Sequence, residues 1–275
     1  MTSDPADVRL APAPDLGFDP GPDLGLDPDL AVHLLRLGDD ALVLGQRLCQ
    51  WITRAPTIEE DLALSNIALD LIGQARLLLT HAGRLDGTGR DEDALAYTRT
   101  GREFTNTLLT ELPNGDFATT IARQLAYTHY AVAYYEALGG SSDPELAAFG
   151  QRAAKEVAFH RLHADTWTER LGLGTPESTR RMRQGLEAVW PYTAELFDED
   201  DVTRRIAAAG TAPSPALLRP RWEESTARVI ARAGLDVPAP RWQGRGGRTG
   251  LHTEEFASLV AELQSVHRQF PGGSW

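Results

Sequence analysis

The 275-residue sequence predicts an all-α protein, a helical bundle with additional C-terminal helices. Three observations carry that expectation. Apolar residues recur at three- and four-residue spacings over long segments, which gathers them on one face of a helix. Those segments open at Ser, Thr or Asp followed by Pro, or by Glu three residues on, and they stop at Gly or Pro. Sustained two-residue alternation of β-branched residues between tight-turn pairs does not occur, so strands have no support.

The first 30 residues stand apart from this pattern. They hold seven Asp against one Arg, with six Pro and three Gly, and DLGFDPGP from Asp15 is nearly repeated as DLGLDPDL from Asp23. So little apolar surface cannot offset the entropy of ordering, and residues 1–30 are expected to form a flexible acidic tail, with an acidic docking arm as the alternative. Residues 31–275 are expected to form one helical domain. Leu34, Leu35, Leu42, Val43, Leu48 and Trp51 carry the first helix until Pro56. Thr57 and Glu60 have capping-box spacing and open a second, which should run to about His81 with Gly83 as its stop. The apolar residues of that helix cover nearly its whole circumference, the pattern of a centrally buried element. A third is expected from Asp91 to about Leu112, and a fourth from Phe117 to Leu138, ended by Gly139-Gly140. Asp143-Pro144 and Thr175-Pro176 each place a cap before a proline at the first helical position, opening a fifth and a sixth, the latter kinked at Pro191. Ser214-Pro215 starts another toward Ala233, a Gly/Pro/Arg-rich loop spans 237–250, and a last helix covers about Thr253 to Gln269.

Composition narrows the function classes. A net charge of −12 argues against nucleic acid or an anionic membrane as partner, because phosphate is met by clustered Lys and Arg. One cysteine, Cys49, excludes an intrachain disulfide and a thiolate zinc cage. Together with the lack of a signal-peptide pattern or of 18 consecutive apolar residues, this gives a cytoplasmic protein as the expectation.

Helical bundles of this size can hold carboxylate-bridged diiron sites, which need one Glu from each of two helices and a Glu-x-x-His pair from each of two more. Residues three apart share a helix face and can grip one metal. The seven histidines are preceded at that spacing by Leu30, Leu78, Ala126, Val157, His160, Thr249 and Gln264, so the motif is absent. The nearest approach is Glu156 with His160, followed by His163; the facing stretch of the second helix offers Leu71 and Gln74, neither a natural iron ligand. Cys49 reads as a core residue rather than a nucleophile, and Gly244, Gly246, Gly247 and Gly250 as a flexible loop rather than a nucleotide cradle. Asp39, Asp40 and Asp70 are the remaining carboxylates of interest. An inward-facing Asp70 would need a hydrogen-bonded partner.

Several segments resemble the C-subunit family of phenylacetyl-CoA epoxidases: LGDDALVLGQRL from Leu37, EEDLALSNIALDLIGQARLLL from Glu59, GRDEDALAYTR from Gly89, LLTELPNGDFA from Leu108, KEVAFH from Lys155, RLGLGTPESTRRM from Arg170, and the close from Gly250. The likeness covers nearly all of 31–275 and is loosest over 201–250. It implies a ferritin-like bundle that pairs, as part of a hetero-oligomer, with a related diiron catalytic A subunit. In that partner, D-E-A-G-H stands where this chain has Asp70 to Gln74, so Leu71 and Gln74 occupy the positions of a Glu and a His. Val157 likewise takes the place of the second Glu and leaves His160 alone. The resemblance further implies a complex that epoxidises the ring of phenylacetyl-CoA with dioxygen, its electrons coming from NADPH through a flavin and iron–sulfur reductase subunit. In it this chain would be a noncatalytic support without metal, cofactor or catalytic residues of its own. The residues alone leave open a self-sufficient diiron oxygenase with ligands drawn from Asp39, Asp40, Asp70, Glu156, His160 and His163, and a freestanding helical binding module.

Overall fold

The computed structural model describes residues 26–273, which contain eleven α-helices, four short 3-10 turns and no strand. Four long helices make the bundle: α1 (Pro28–Cys49), α2 (Ile58–Leu85), α5 (Phe117–Leu138) and α6 (Pro144–Gly172). Close approaches at glycine fix their directions. A Cβ on Gly38 would meet Leu79, and one on Gly45 would meet Ile72, so α1 and α2 run antiparallel as a hairpin. Gly150 packs on the backbone of Leu138 and Gly139, which does the same for α5 and α6. Side-chain pairs from α2 to α6 and from α1 to α5 are also antiparallel in register, as in His163 with Glu60 and Tyr134 with His33. α2 and α5 are therefore parallel, and the connection over 86–116 must travel the length of the bundle; one long crossover of this kind defines the ferritin-like arrangement.

That connection carries α3 (Glu92–Tyr97) and α4 (Leu108–Glu111). The sequence suggested one helix from Asp91 to Leu112; instead the backbone leaves the helix after Tyr97 and is extended at Phe104 and Thr107. Two buried carboxylates on α1 account for this. Asp39 accepts from Thr105 N and Asp40 from Thr107 N, both at 2.7 Å, so amides that a helix would use internally are drawn to α1. Outside the bundle, α7 (Pro176–Val189) lies on α5, and α8 (Asp201–Ala208), which the sequence reading did not anticipate, lies on α1. α9 (Pro215–Arg232) packs on α5 and α6, and α10 (Phe256–Leu263) and α11 (Ser265–Gln269) close the chain.

The caps anticipated at Thr57, Asp143 and Thr175 accept from Glu60 N, Leu146 N and Ser178 N. Several boundaries differ from expectation. α1 starts at Pro28 with Asp27 as its cap, so residues 28–30 belong to the bundle; the rest of the acidic segment, residues 1–25, lies outside the described residues. α2 passes through Gly83 to Leu85, because the glycine serves a close approach: a Cβ there would stand 1.9 Å from the Arg90 carbonyl oxygen. α7 ends at Val189, and Pro191 sits in a 3-10 turn over Trp190–Tyr192. The expected last helix is broken at Gln264, whose side-chain amide donates to the Ala96 and Arg99 carbonyls at 3.2 and 2.8 Å.

α2 is not wrapped on all sides. Leu64, Ile67, Leu71, Ala75, Leu78 and Leu79 face the core, whereas Ile58, Leu62 and Leu69 are 81%, 64% and 65% exposed. The apolar circumference is thus shared between a buried face and a solvent-facing stripe. The same content makes α2 the one described helix long and apolar enough to cross a membrane by length and composition.

Candidate functional site: the seam between α2 and α6

Helical registry places Leu71 and Gln74 of α2 and Val157 and His160 of α6 on faces turned into the bundle, and all four are buried. Within each helix the two residues stand three apart, the spacing that a ferritin-like diiron site uses for its Glu-x-x-His pairs. Leu71 and Val157 offer hydrocarbon only. Gln74 donates through Nε2 to Glu156 Oε2 at 2.8 Å, while its own Oε1 is buried without a partner among the described residues. His160 Nε2 meets Asp70 Oδ2 at 2.9 Å, and one turn along His163 Nε2 meets Glu60 Oε2 at 2.7 Å. Asp70 therefore has a hydrogen-bonded partner, but its side chain is 44% exposed, so it is not the inward-facing carboxylate for which the sequence reading required one.

At the far end of the seam, His81 Nε2 stands 3.7 Å from Glu145 Oε2, and Arg84 bonds the other oxygen of that carboxylate. Burial pushes the His81 imidazole below its ordinary value, with Glu145 opposing. The two antiparallel helices are thus stitched by cross-helix polar pairs, each histidine of the seam facing one carboxylate. Among the described residues, no group of three or more His, Cys, Asp or Glu is arranged to hold a metal ion. The donor set does not suit a diiron pair, which takes most of its ligands from carboxylates shared between two metals.

The other carboxylates singled out from sequence are engaged elsewhere. Asp39 is fully buried, forms a two-pronged pair with Arg99, and also accepts from the Thr105 hydroxyl at 3.0 Å. Asp40 pairs with Arg248 at 2.7 Å and accepts from the Thr107 hydroxyl at 3.1 Å. Burial raises the Asp40 carboxyl, while Arg248 and the Thr107 bonds oppose that rise. Cys49 is partly buried and burial raises its thiol, the wrong direction for a nucleophile.

Sequence reasoning missed Glu111, Glu195, Arg248 and His252. Buried Glu111 accepts from His252 Nδ1 and Thr253 N at 2.6 Å and from Asn106 Nδ2 at 2.8 Å. Buried Glu195 accepts from Leu108 N and Gly246 N at 2.8 Å. These bonds, with that of Arg248 to Asp40, strap the chain around 244–256 onto the crossover and α1. The Gly-rich loop expected to be flexible is therefore held in place: a Cβ on Gly247 would lie 2.1 Å from the Asn106 oxygen, and Gly250, at φ +75°, would bring one 2.2 Å from the Arg102 oxygen. A run of glycines beside arginines reads alike for a loose loop and for a close approach, so only the acidic partners, distant in sequence, distinguish them.

An all-α bundle with one long crossover and carboxylate–histidine pairs along its α2–α6 seam defines a ferritin-like protein. Comparison of the sequence with protein families places it further: residues 25–275 match the family described as phenylacetic acid catabolic protein, and the chain belongs to that family. It is 46% identical over 246 residues to the C subunit of the 1,2-phenylacetyl-CoA epoxidase of Escherichia coli strain K12, covering 90% of this chain and 99% of that protein.

Proposed function

We propose that this chain is the noncatalytic subunit of a phenylacetyl-CoA 1,2-epoxidase, pairing with and stabilising a diiron catalytic A subunit in aerobic phenylacetate catabolism. The observation that carries the reading is the burial of Leu71, Gln74 and Val157, three non-ligands at the positions that the family resemblance matches to ligands of the A subunit. The likeness to a protein named as one subunit of an epoxidase supports membership of a multi-subunit enzyme. Iron then belongs to the A subunit, and flavin, the iron–sulfur centre and NADPH to the reductase component of the same complex.

The outer face of the seam supports a docking role. Leu69 and Phe159 flank the Asp70–His160 pair in sequence and are 65% and 69% exposed, and Leu62 and Leu162 extend the apolar surface along both helices. Grouped exposed apolar side chains mark interaction surfaces, and lasting partners share upward of about 2,000 Å². In this reading the polar pairs keep α2 and α6 in register, and rigid helices hold the partner's site in place.

The test is co-expression of the tagged chain with the A-type subunit, followed by metal assay of each separated component. The expected result is stable association, with iron in the A subunit and less than about 0.1 iron per copy of this chain. Two tightly held irons in this chain, supporting oxygen activation, would overturn it, as would failure to retain the A subunit.

A further inference from the structure

A cavity of about 150 Å³ lies between α2 and α6, at the end of the seam where α2 finishes, and the functional reading makes no use of it. Leu77, Leu146 and Phe149 give it apolar wall, and Arg152 and the His81–Glu145 pair are among the residues that complete it. An apolar cavity of about this volume is large enough to take a benzene ring. Beside it the charges leave one cation over. Arg76 pairs with Glu92, Arg84 with Glu145 and Arg152 with Glu156. Lys155, exposed one turn beyond Arg152 on α6, has no ion pair or hydrogen bond among the described residues.

The sequence supplies a matching occupant. Residues 1–25, which lie outside the described residues and before the family match, carry five Asp against one Arg, and Phe18 is their one aromatic side chain. Asp15 and Asp19 stand on either side of that ring in the sequence. The point where the segment joins the bundle is fixed. Leu26 lies against Gly87, two residues past the end of α2, where a Cβ would stand 3.1 Å from the leucine Cδ2. Leu77 is eight residues before Leu85, the last of α2, about 12 Å along the helix. Phe18 is eight residues before Leu26, and an extended chain of that length reaches about 26 Å. In the near-repeat, Phe18-Asp19-Pro20 takes the place of Leu26-Asp27-Pro28, whose apolar side chain already lies on the bundle and whose aspartate caps α1. Burial of one ring offsets the ordering of only a few residues, so the contact is a reversible one.

We propose that this cavity and Lys155 form a docking site for the chain's own acidic segment, Phe18 seating its ring in the cavity and Asp15 or Asp19 meeting the Lys155 ammonium. The test is methyl NMR of the full isolated chain, with no partner or metal added. A ring displaces the signals of the methyl groups it touches. Phe18→Ala should therefore shift the Leu77 and Leu146 methyls and leave those of Leu186 on α7 and Leu259 on α10 in place. Lys155→Glu, a change at an exposed side chain, should weaken the seating about two- to fivefold and move both methyls part of the way to their Phe18→Ala positions. Salt at about 0.5 M should do the same in wild type, since it screens exposed charges. Leu77 and Leu146 methyls that Phe18→Ala moves no further than the two reference leucines would overturn the inference, as would signals indifferent to both Lys155→Glu and salt. Shifts that grow with protein concentration would overturn it too, because the segment would then sit on a second copy of the chain.

Discussion

At the scale of single residues, this protein uses its buried charges to join segments distant in sequence. Asp39, Asp40, Glu111 and Glu195 are each at most 3% exposed, and each holds backbone amides or cations of the crossover or the C-terminal strap. His33 is buried as an uncharged base, and this has a consequence for pH. Its ordinary value of 6.5 is pushed down to about 3, first by burial and then by Arg248 and Arg36. The unfolded chain takes up a proton near 6.5 that the folded chain refuses until about 3, so stability is full above that window and falls as pH drops through it. By about pH 5 the loss should be on the order of 2 kcal/mol. Urea unfolding of wild type and His33→Gln at about pH 7 and pH 5 checks this: the variant should show a shallower decline, and equal slopes would refute the assignment. His81, also shifted downward, leaves a residual slope of the same sign in both proteins.

At the scale of elements, α2 shows what a periodic sequence discloses and what it withholds. Two glycines ten residues apart in this helix should respond oppositely to alanine. A Cβ at Gly73 meets nothing within 4 Å, so Gly73→Ala should gain about 0.5–1 kcal/mol by restricting the unfolded chain. At Gly83 a Cβ would strike the Arg90 carbonyl, so Gly83→Ala should lose about 1–3 kcal/mol as backbone shifts to admit it. Denaturant midpoints of the two variants read the signs directly. The sequence located both ends of α5 and the caps at Thr57, Asp143 and Thr175 because these depend on local chemistry within four residues. It misplaced the end of α2 and missed the break after Tyr97 because those follow from Arg90, Asp39 and Asp40, partners that periodicity cannot see. The resemblance singled out Leu71, Gln74, Val157 and His160, and the structure buries all four. Their cross-helix partners, and the exposure of Ile58, Leu62 and Leu69, were not legible, since spacing does not say what covers a face.

At the scale of the whole molecule, the bundle is filled on the inside and left open on one apolar side. The core runs from α1 through α2, α5 and α6 into α7 and α9, with Trp190, Trp222 and Phe197 packing the outer layer. The chain's own fold therefore does not depend on Leu69 or Phe159, whose side chains mostly meet solvent. Lysine at both positions should leave the isolated chain within about 1 kcal/mol of wild type, as surface substitutions do. Association behaves differently, because a partner that binds only the folded chain raises its stability by mass action. With the A subunit at about one hundred times the dissociation constant, the gain is about 2.7 kcal/mol, or roughly 5–10 °C in thermal midpoint for a chain of this size. Wild type should therefore melt higher in the mixture than alone, and the gain should grow with partner concentration. The Leu69→Lys, Phe159→Lys double variant should melt like wild type alone and gain little from the partner, because two ammonium groups would have to be buried against an apolar surface. An undiminished gain in the double variant would place the docking surface elsewhere on the molecule, and a variant already destabilised by several kcal/mol alone would show that these side chains serve the bundle itself.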